Sequence, residues 1–193
     1  MPCCKKSFKS EIFIDAPPAL VYSQLTDFDS YKEWNAVIPD VRVKQFKEGA
    51  TIRPTLISPG RGAISFRASL SKVDPEHKHF EWTAGFPIPG MFKGDHSFTV
   101  APADDSGTKT KLMRSETYSG LMVPIFSGPI KAADNGLDAM VDALKARAEA
   151  IAKGPPAPPP ETAPPAAPAA VEAAADDDDA VAATTTTHET PAA

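Results

Sequence analysis

The stretch LMVPIFSGPIKAADNGLDAMVDALKARAEAIAK, residues 121–153, decides how the rest of the chain has to fold. Ile130, Ala133, Leu137, Met140, Val141, Leu144, Ala148 and Ile151 recur at spacings of three and four, which places them on one stripe of a single helix of about seven turns. A helix with one apolar stripe needs an apolar partner. The segments ahead of it alternate with period two, as strands with one buried face do. The economical solution is an α+β domain, a curved antiparallel sheet wrapped against one long helix. Such a pair encloses either a solid core or a pocket, and function turns on which.

Working outward, Phe8 to Asp15 reads as the first strand. Asp15-Ala16-Pro17-Pro18 then offers a helix cap followed by prolines, which the first turn of a helix tolerates because its amides have no intrahelical partner. Val21, Tyr22, Leu25 and Phe28 supply a short apolar face, and Asp29-Ser30 interrupts it before Tyr31 and Trp34. This predicts two short helices over residues 17–26 and 29–34, with Pro39 opening an extended stretch. Strands are expected at 41–47, 50–57, 63–73, 79–85, 92–100 and 108–118, which with the first makes seven. Glu48-Gly49, Pro59-Gly60-Arg61-Gly62, Asp74-Pro75 and Asp104 to Gly107 are turn formers, so hairpins rather than crossovers join them.

Composition divides the 193 residues into a flexible start (1–7), one folded domain (8–153) and a disordered Pro/Ala/Asp/Thr-rich tail (154–193). The tail holds nine of the 21 prolines, seven acidic residues and no lysine or arginine; residues 1–153 carry a formal net charge of +2. A near-neutral body gives no electrostatic case for nucleic acid or an anionic membrane as a partner. A protein partner for the tail is open but unsupported. No apolar run reaches the length of a membrane span, and no apolar signal region follows Lys5 and Lys6, so a cytoplasmic location is expected. Cys3 and Cys4 are too few for a disulfide scaffold and lack the further ligands of a metal site, which leaves a disordered start or N-terminal acylation. No serine elbow, phosphate loop or paired-cysteine spacing is present, so neither a metal nor a cofactor is expected.

The chemistry-bearing residues fall on the last strands. His96, Phe98 and Val100 share one face, as do Leu112, Arg114, Glu116 and Tyr118; a turn near Asp105 or Ser106 sets His96 opposite Glu116. A wall that mixes apolar groups with His, Arg and Glu is what a lined pocket needs, since a few polar groups fix a ligand's orientation. The alternative is an internal salt bridge that fills the space at a desolvation cost. A carboxylate beside His96 is expected to raise the basicity of its imidazole. Ile64, Phe66, Ala68 and Leu70 share a face of the fourth strand, while His79 has the parity of a solvent-facing residue. The loop 87–93, with Ile88 and Met91, suits a portal lip, and 120–128, with Val123 and Phe126, carries too much apolar surface for an idle connection. Gly120 and Gly128 there would permit a hinge or simply relieve crowding.

The order of elements and the wording of several segments resemble the START-like, or helix-grip, SRPBCC superfamily, and more closely its polyketide cyclase/dehydrase and lipid-transport branch. The resemblance covers about residues 8–151. It rests on Ile12-Phe13-Ile14-Asp15-Ala16-Pro17, on Asp27 to Asn35, on Glu81-Trp82, on Phe86 to Phe98 and on Gly107 to Leu121. It implies a cavity between sheet and C-terminal helix, with a histidine matching His96 and a glutamate matching Glu116 looking into it. It also implies a histidine where this chain has Arg114; arginine stays protonated near neutral pH and cannot act as a base.

The leading expectation is therefore binding, transport or sensing of a small hydrophobic molecule or lipid. Its pocket is lined by Phe66, Leu70, Trp82, Phe98, Leu112, Met140 and Leu144, with His96, Arg114 and Glu116 orienting the ligand. The alternatives are a polyketide cyclase/dehydratase-like enzyme using His96 and Glu116 as catalytic groups, and a non-catalytic protein-interaction module.

Overall fold

The computed structural model describes residues 4–58 and 62–154. Cys3, the turn at 59–61 and the expected tail from residue 155 onward lie outside the described residues. Strand β1 (Lys5–Ile14) leads into helix α1 (Pro18–Thr26), a 3-10 turn (Phe28–Ser30) and helix α2 (Tyr31–Trp34). Seven strands follow: β2 (Asp40–Val43), β3 (Thr51–Ser58), β4 (Gly62–Ser65), β5 (Ala68–Asp74), β6 (His79–Gly85), β7 (Lys93–Pro102) and β8 (Thr110–Ser119). Helix α3 (Ser127–Lys153) closes the fold, one antiparallel sheet in the order β1-β8-β7-β6-β5-β3-β2 with β4 also on β3. This is the helix-grip arrangement.

One expected strand is interrupted. Residues 63–73 divide into β4 and β5, yet both keep a common register on β3, with Thr55 opposite Ser65 and Ile52 opposite Ala68. That register puts Phe66 opposite Pro54, which accepts the Phe66 amide at 3.2 Å but has no N–H to return. It also sets Arg53 opposite Arg67, a like-charge pair that disfavours pairing. The ladder therefore lapses over two residues. Phe66 is half-buried at this lapse and Ile64 is exposed, so only Ala68 and Leu70 of the expected face enter the core.

Most of the predicted α3 stripe is buried: Ile130, Leu137, Met140, Val141, Leu144 and Ala148 are buried, whereas Ala133 is half-buried and Ile151 is exposed. The helix pair is fixed to it through Arg147, which donates to Gln24 and Glu33. Tyr31 is buried, with its hydroxyl donating to the Leu25 carbonyl, and Trp34 stacks edge-on against it at 4.8 Å, so these two rings anchor the pair. Asp15 does not cap α1. Its amide is held by Glu149 at 3.0 Å and its carboxylate pairs with Lys109, while Pro17 occupies the cap position.

Candidate ligand site on the concave face

Register converts the sequence into rows across the sheet. One row runs Phe8, Glu116, His96, Trp82, Leu70 over β1, β8, β7, β6 and β5; the next runs Ser10, Arg114, Phe98, Phe80, Val73. A bulge at Ser71 keeps Leu70 and Val73 on the same face. His96 thus sits opposite Glu116, as the hairpin count predicts. All these side chains look toward α3, whose Met140 and Leu144 are buried with them. Leu70, Trp82, Phe98, Leu112, Met140 and Leu144 belong to one apolar cluster, none more than 5% exposed. Phe66 packs at its rim. Phe80 and Phe98 stack at 5.2 Å, and the Trp82 ring meets the edge of His96 at 5.6 Å.

The polar centre is organised by Arg114, which is 3% exposed. One terminal nitrogen donates to Glu116 Oε1; the other reaches Asp134 at 2.8 Å and Asp138 at 2.7 Å on α3, and Nε–H donates to Ser10 at 3.1 Å. The guanidinium fork suits this, because it presents fixed donors to several carboxylates at once. Glu116 Oε2 accepts the Tyr118 hydroxyl at 2.7 Å. Arg114 and Glu116 are therefore bound to each other, and the sheet is bound to the helix through them. Sequence reasoning missed Asp134 and Asp138. Their i, i+4 spacing beside Ala133 and Leu137 of the apolar stripe is the signal that would have found them.

His96 is the odd member. Its Nδ1 lies 3.8 Å from Glu116 Oε2, too far for a hydrogen bond, and has no hydrogen-bond partner among the described residues; the neighbouring Trp82 Nε1 is likewise buried and unpartnered among them. The expected rise in basicity does not occur. Burial, and then the Arg114 charge, push the imidazole down from 6.5 to about 4, so it is neutral near pH 7. Glu116 does not reverse this because its charge is already matched by Arg114. Burial also raises the Tyr118 hydroxyl to about 12, which keeps it a donor.

Tyr118 stands over Gly94, where an added Cβ would come within 3.1 Å of its ring. Sequence alone gave no reason for that glycine. His79 lies on the outer sheet face, as its parity predicts, but its ring is bonded to Thr99 and Glu81 there and its side chain is only 15% exposed.

The portal residues divide. Ile88 is exposed and Met91 half-buried, whereas Val123 is buried and Phe126 half-buried in a second cluster with Tyr118 and Ile130. The two loops are joined by backbone bonds from Leu121 to Gly90 and Met122 to Met91, each 2.9 Å. At Gly120 (φ +123°) a Cβ would lie 2.5 Å from the Met91 carbonyl oxygen, so that glycine relieves crowding. Two wider depressions lie elsewhere: a groove of about 780 Å³ bordered by Phe28, Lys32, Arg42 and Phe46, and one of about 470 Å³ over Lys9, Ser97 and Met113. Trp82, His96 and Glu116 line neither. Among the described residues no group of three or more side chains is placed to hold a metal, and no helix is long and apolar enough to cross a membrane.

Comparison with known proteins agrees with this geometry. Among solved structures the chain is similar to the ZhuI aromatase/cyclase from Streptomyces sp. R1128, at 14% identity and a TM-score of 0.60, covering 76% of this chain and 94% of that one. It is similar to a START superfamily protein from Mycobacterium smegmatis at 20% identity and a TM-score of 0.57, covering 74% and 97%. Truncated norcoclaurine synthase from Thalictrum flavum matches at 16% identity and a TM-score of 0.56, covering 75% and 94%. At these identities the likeness is one of fold. No curated protein matches the chain significantly. Residues 5–149 do match a family as a whole, and the chain belongs to it: the polyketide cyclase/dehydrase and lipid-transport family of the START-like superfamily.

Proposed function

We propose that the chain takes a small, largely apolar, carbonyl-bearing molecule of the polyketide kind between its sheet and α3, and acts on it as a cyclase or dehydratase with His96 as the proton carrier. The observation that carries this reading is the neutral His96, its side chain 11% exposed, whose buried Nδ1 is without a partner among the described residues beside the equally unpartnered Trp82 Nε1. Buried polar atoms are costly unless paired, and a ligand carbonyl or hydroxyl supplies the pairing. Family membership and the likeness to an aromatase/cyclase support the reaction class.

The chemistry asked of the protein is modest. A neutral imidazole nitrogen takes a proton from a carbon flanked by carbonyls, that carbon attacks a second carbonyl, and the imidazolium returns the proton to the new alkoxide. Loss of water repeats the cycle, with the proton going to the departing hydroxyl. Arg114 takes no proton in either step; it holds Glu116 and, through Tyr118, the wall beside His96. Trp82, Phe98 and Leu112 supply the apolar wall.

Holding without turnover is the second reading. It is favoured by Arg114 at a position where the resemblance implies a histidine, and by a His96 basicity below that of an efficient base at neutral pH. One experiment separates the two. The full chain is titrated with 1,8-dihydroxyanthraquinone and read by tryptophan quenching, then incubated with a poly-β-ketone thioester and read by product mass. Saturable quenching that survives Trp34→Phe and disappears in Trp82→Phe is expected, with loss of water abolished in His96→Gln. Quenching without product establishes holding alone; no saturable quenching refutes both.

A further inference from the structure

Three segments distant in sequence meet at one end of the sheet. The start of β1, the 86–92 loop and residues 120–126 are tied by backbone bonds from Gly120 to Cys4 (3.2 Å), Leu121 to Gly90 (2.9 Å) and Met122 to Met91 (2.9 Å). On this frame Phe86, Ile88, Leu121 and Ile125 stand 48, 63, 59 and 68% exposed, half of the eight large apolar side chains exposed among the described residues. Such a concentration at the tips of two adjoining loops marks an interaction surface. It is supported from beneath. Phe92 and Phe126 meet at 5.4 Å, Phe86 and Phe126 at 6.0 Å, and Phe92 and Tyr118 at 6.0 Å, so the tips are propped outward.

Charge identifies the occupant. Residues 1–10, 84–94 and 117–133 contain Lys5, Lys6, Lys9, Lys93 and Lys131 and no aspartate or glutamate, although the whole of residues 1–153 nets only +2. Lys5 and Lys93 both stand opposite Ser119, the residue before Gly120. The Lys6 ammonium lies 5.2 Å from the Phe8 ring centre, and Lys131 is exposed in the first turns of α3. The nearest opposing group in these strands is Asp95, which pairs with Lys93 at 2.9 Å. Projecting apolar tips with a collar of ammonium groups on flexible stems match hydrocarbon beneath anionic headgroups.

We propose that this end of the sheet is a peripheral docking surface for an anionic bilayer. Phe86, Ile88, Leu121 and Ile125 enter the headgroup layer, and Lys5, Lys6, Lys93 and Lys131 face its lipid phosphates. The surface is built without His96, Trp82 or Glu116, so docking requires no ligand in the interior and stands apart from the function proposed above.

The test is co-sedimentation of the full chain with phosphatidylcholine vesicles, with and without 30 mol% phosphatidylserine, at low and raised salt. Binding is expected only to the anionic vesicles, and it weakens as salt rises. Ile88→Asp/Leu121→Asp and Lys5→Glu/Lys6→Glu are each expected to weaken it about tenfold or more. Ile57→Asp/Ile64→Asp, on exposed residues of β3 and β4, is expected to leave binding unchanged. Far-UV circular dichroism and an unaltered thermal transition certify that each variant is folded. Equal binding to both vesicle types, binding to neither, or tip variants that sediment like the parent protein would overturn the proposal. So would self-association in sedimentation velocity that Ile88→Asp abolishes while vesicle binding is absent, which assigns the surface to a second copy of the chain.

Discussion

Glu116 lies opposite His96 in the sheet, yet its carboxylate serves Arg114 and Tyr118 and stops 3.8 Å short of the imidazole. Adjacent position has not produced an acid/base pair. The carboxylate's charge is matched by the guanidinium and its second oxygen is occupied by a hydroxyl at 2.7 Å. What remains is a neutral histidine in an apolar wall, steadied from the side by a charged network that reaches the helix.

That network makes Arg114 the costliest single polar side chain to remove. In Arg114→Met, Glu116 is left buried without its cation, and Asp134 and Asp138 lose their link to β8. The expected loss of stability is about 3–5 kcal/mol, the range for breaking a buried pair from one side. Arg114→Met/Glu116→Gln should recover part of it, because the carboxylate then needs no countercharge. Urea unfolding of the single and double variants reads this directly; a double variant no better than the single one would show that the arginine acts through packing.

Tyr118 depends on an absent side chain. Gly94 faces it across β7 and β8, and a methyl group there would come within 3.1 and 3.2 Å of ring carbons. Gly94→Ala is therefore expected to cost about 1–3 kcal/mol by overpacking and to loosen the Tyr118 bond to Glu116. In a Tyr118→Leu background the same substitution should be nearly neutral. Equal costs in both backgrounds, measured by thermal unfolding, would place the strain in the backbone instead.

Much of this was legible in the sequence, and what was not has identifiable causes. The α3 stripe and the His96–Glu116 pairing follow from periodicity and from a hairpin turn, which are local properties. The Arg114 network is not local: Asp134 and Asp138 arrive from a helix whose rotation about its axis the strand pattern does not specify. The basicity of His96 is not legible from strand pairing either, since burial of the ring sets it first and the Arg114 charge second. The interruption between β4 and β5 was hidden because its cause, Pro54, sits on a different strand.

Pro54 tests that account. Its carbonyl accepts the Phe66 amide, and in the shared register its own nitrogen faces the Phe66 carbonyl with nothing to donate. In Pro54→Val the new amide is expected to close the ladder and to exchange slowly with solvent. A hydrogen bond contributes about 0.5–1.5 kcal/mol, and losing proline's restraint on the unfolded chain offsets roughly 0.4–1 kcal/mol of it, so net stability should change little. Hydrogen exchange at residue 54 is thus the deciding measurement, and fast exchange there would put the cause with the Arg53–Arg67 repulsion.

The neutrality of His96 carries a pH dependence of fixed sign. In the folded chain its imidazole titrates at about 4 rather than 6.5, so between those values the unfolded chain binds a proton that the native chain refuses. Stability from this group is therefore complete above about pH 6.5 and falls as the pH drops toward 4, by up to about 3 kcal/mol. Arg114 on the same face, and Asp95 from the other face of the sheet, act on the ring with opposite signs, and burial outweighs both. His96→Phe removes the titrating group while keeping an aromatic ring against Trp82. Its stability should decline less than that of the parent protein between pH 6.5 and 4.5, and the two curves should run parallel above pH 7. If they run parallel throughout, the imidazole titrates alike in the folded and unfolded chain, and the lowering of its basicity by the native surroundings is refuted.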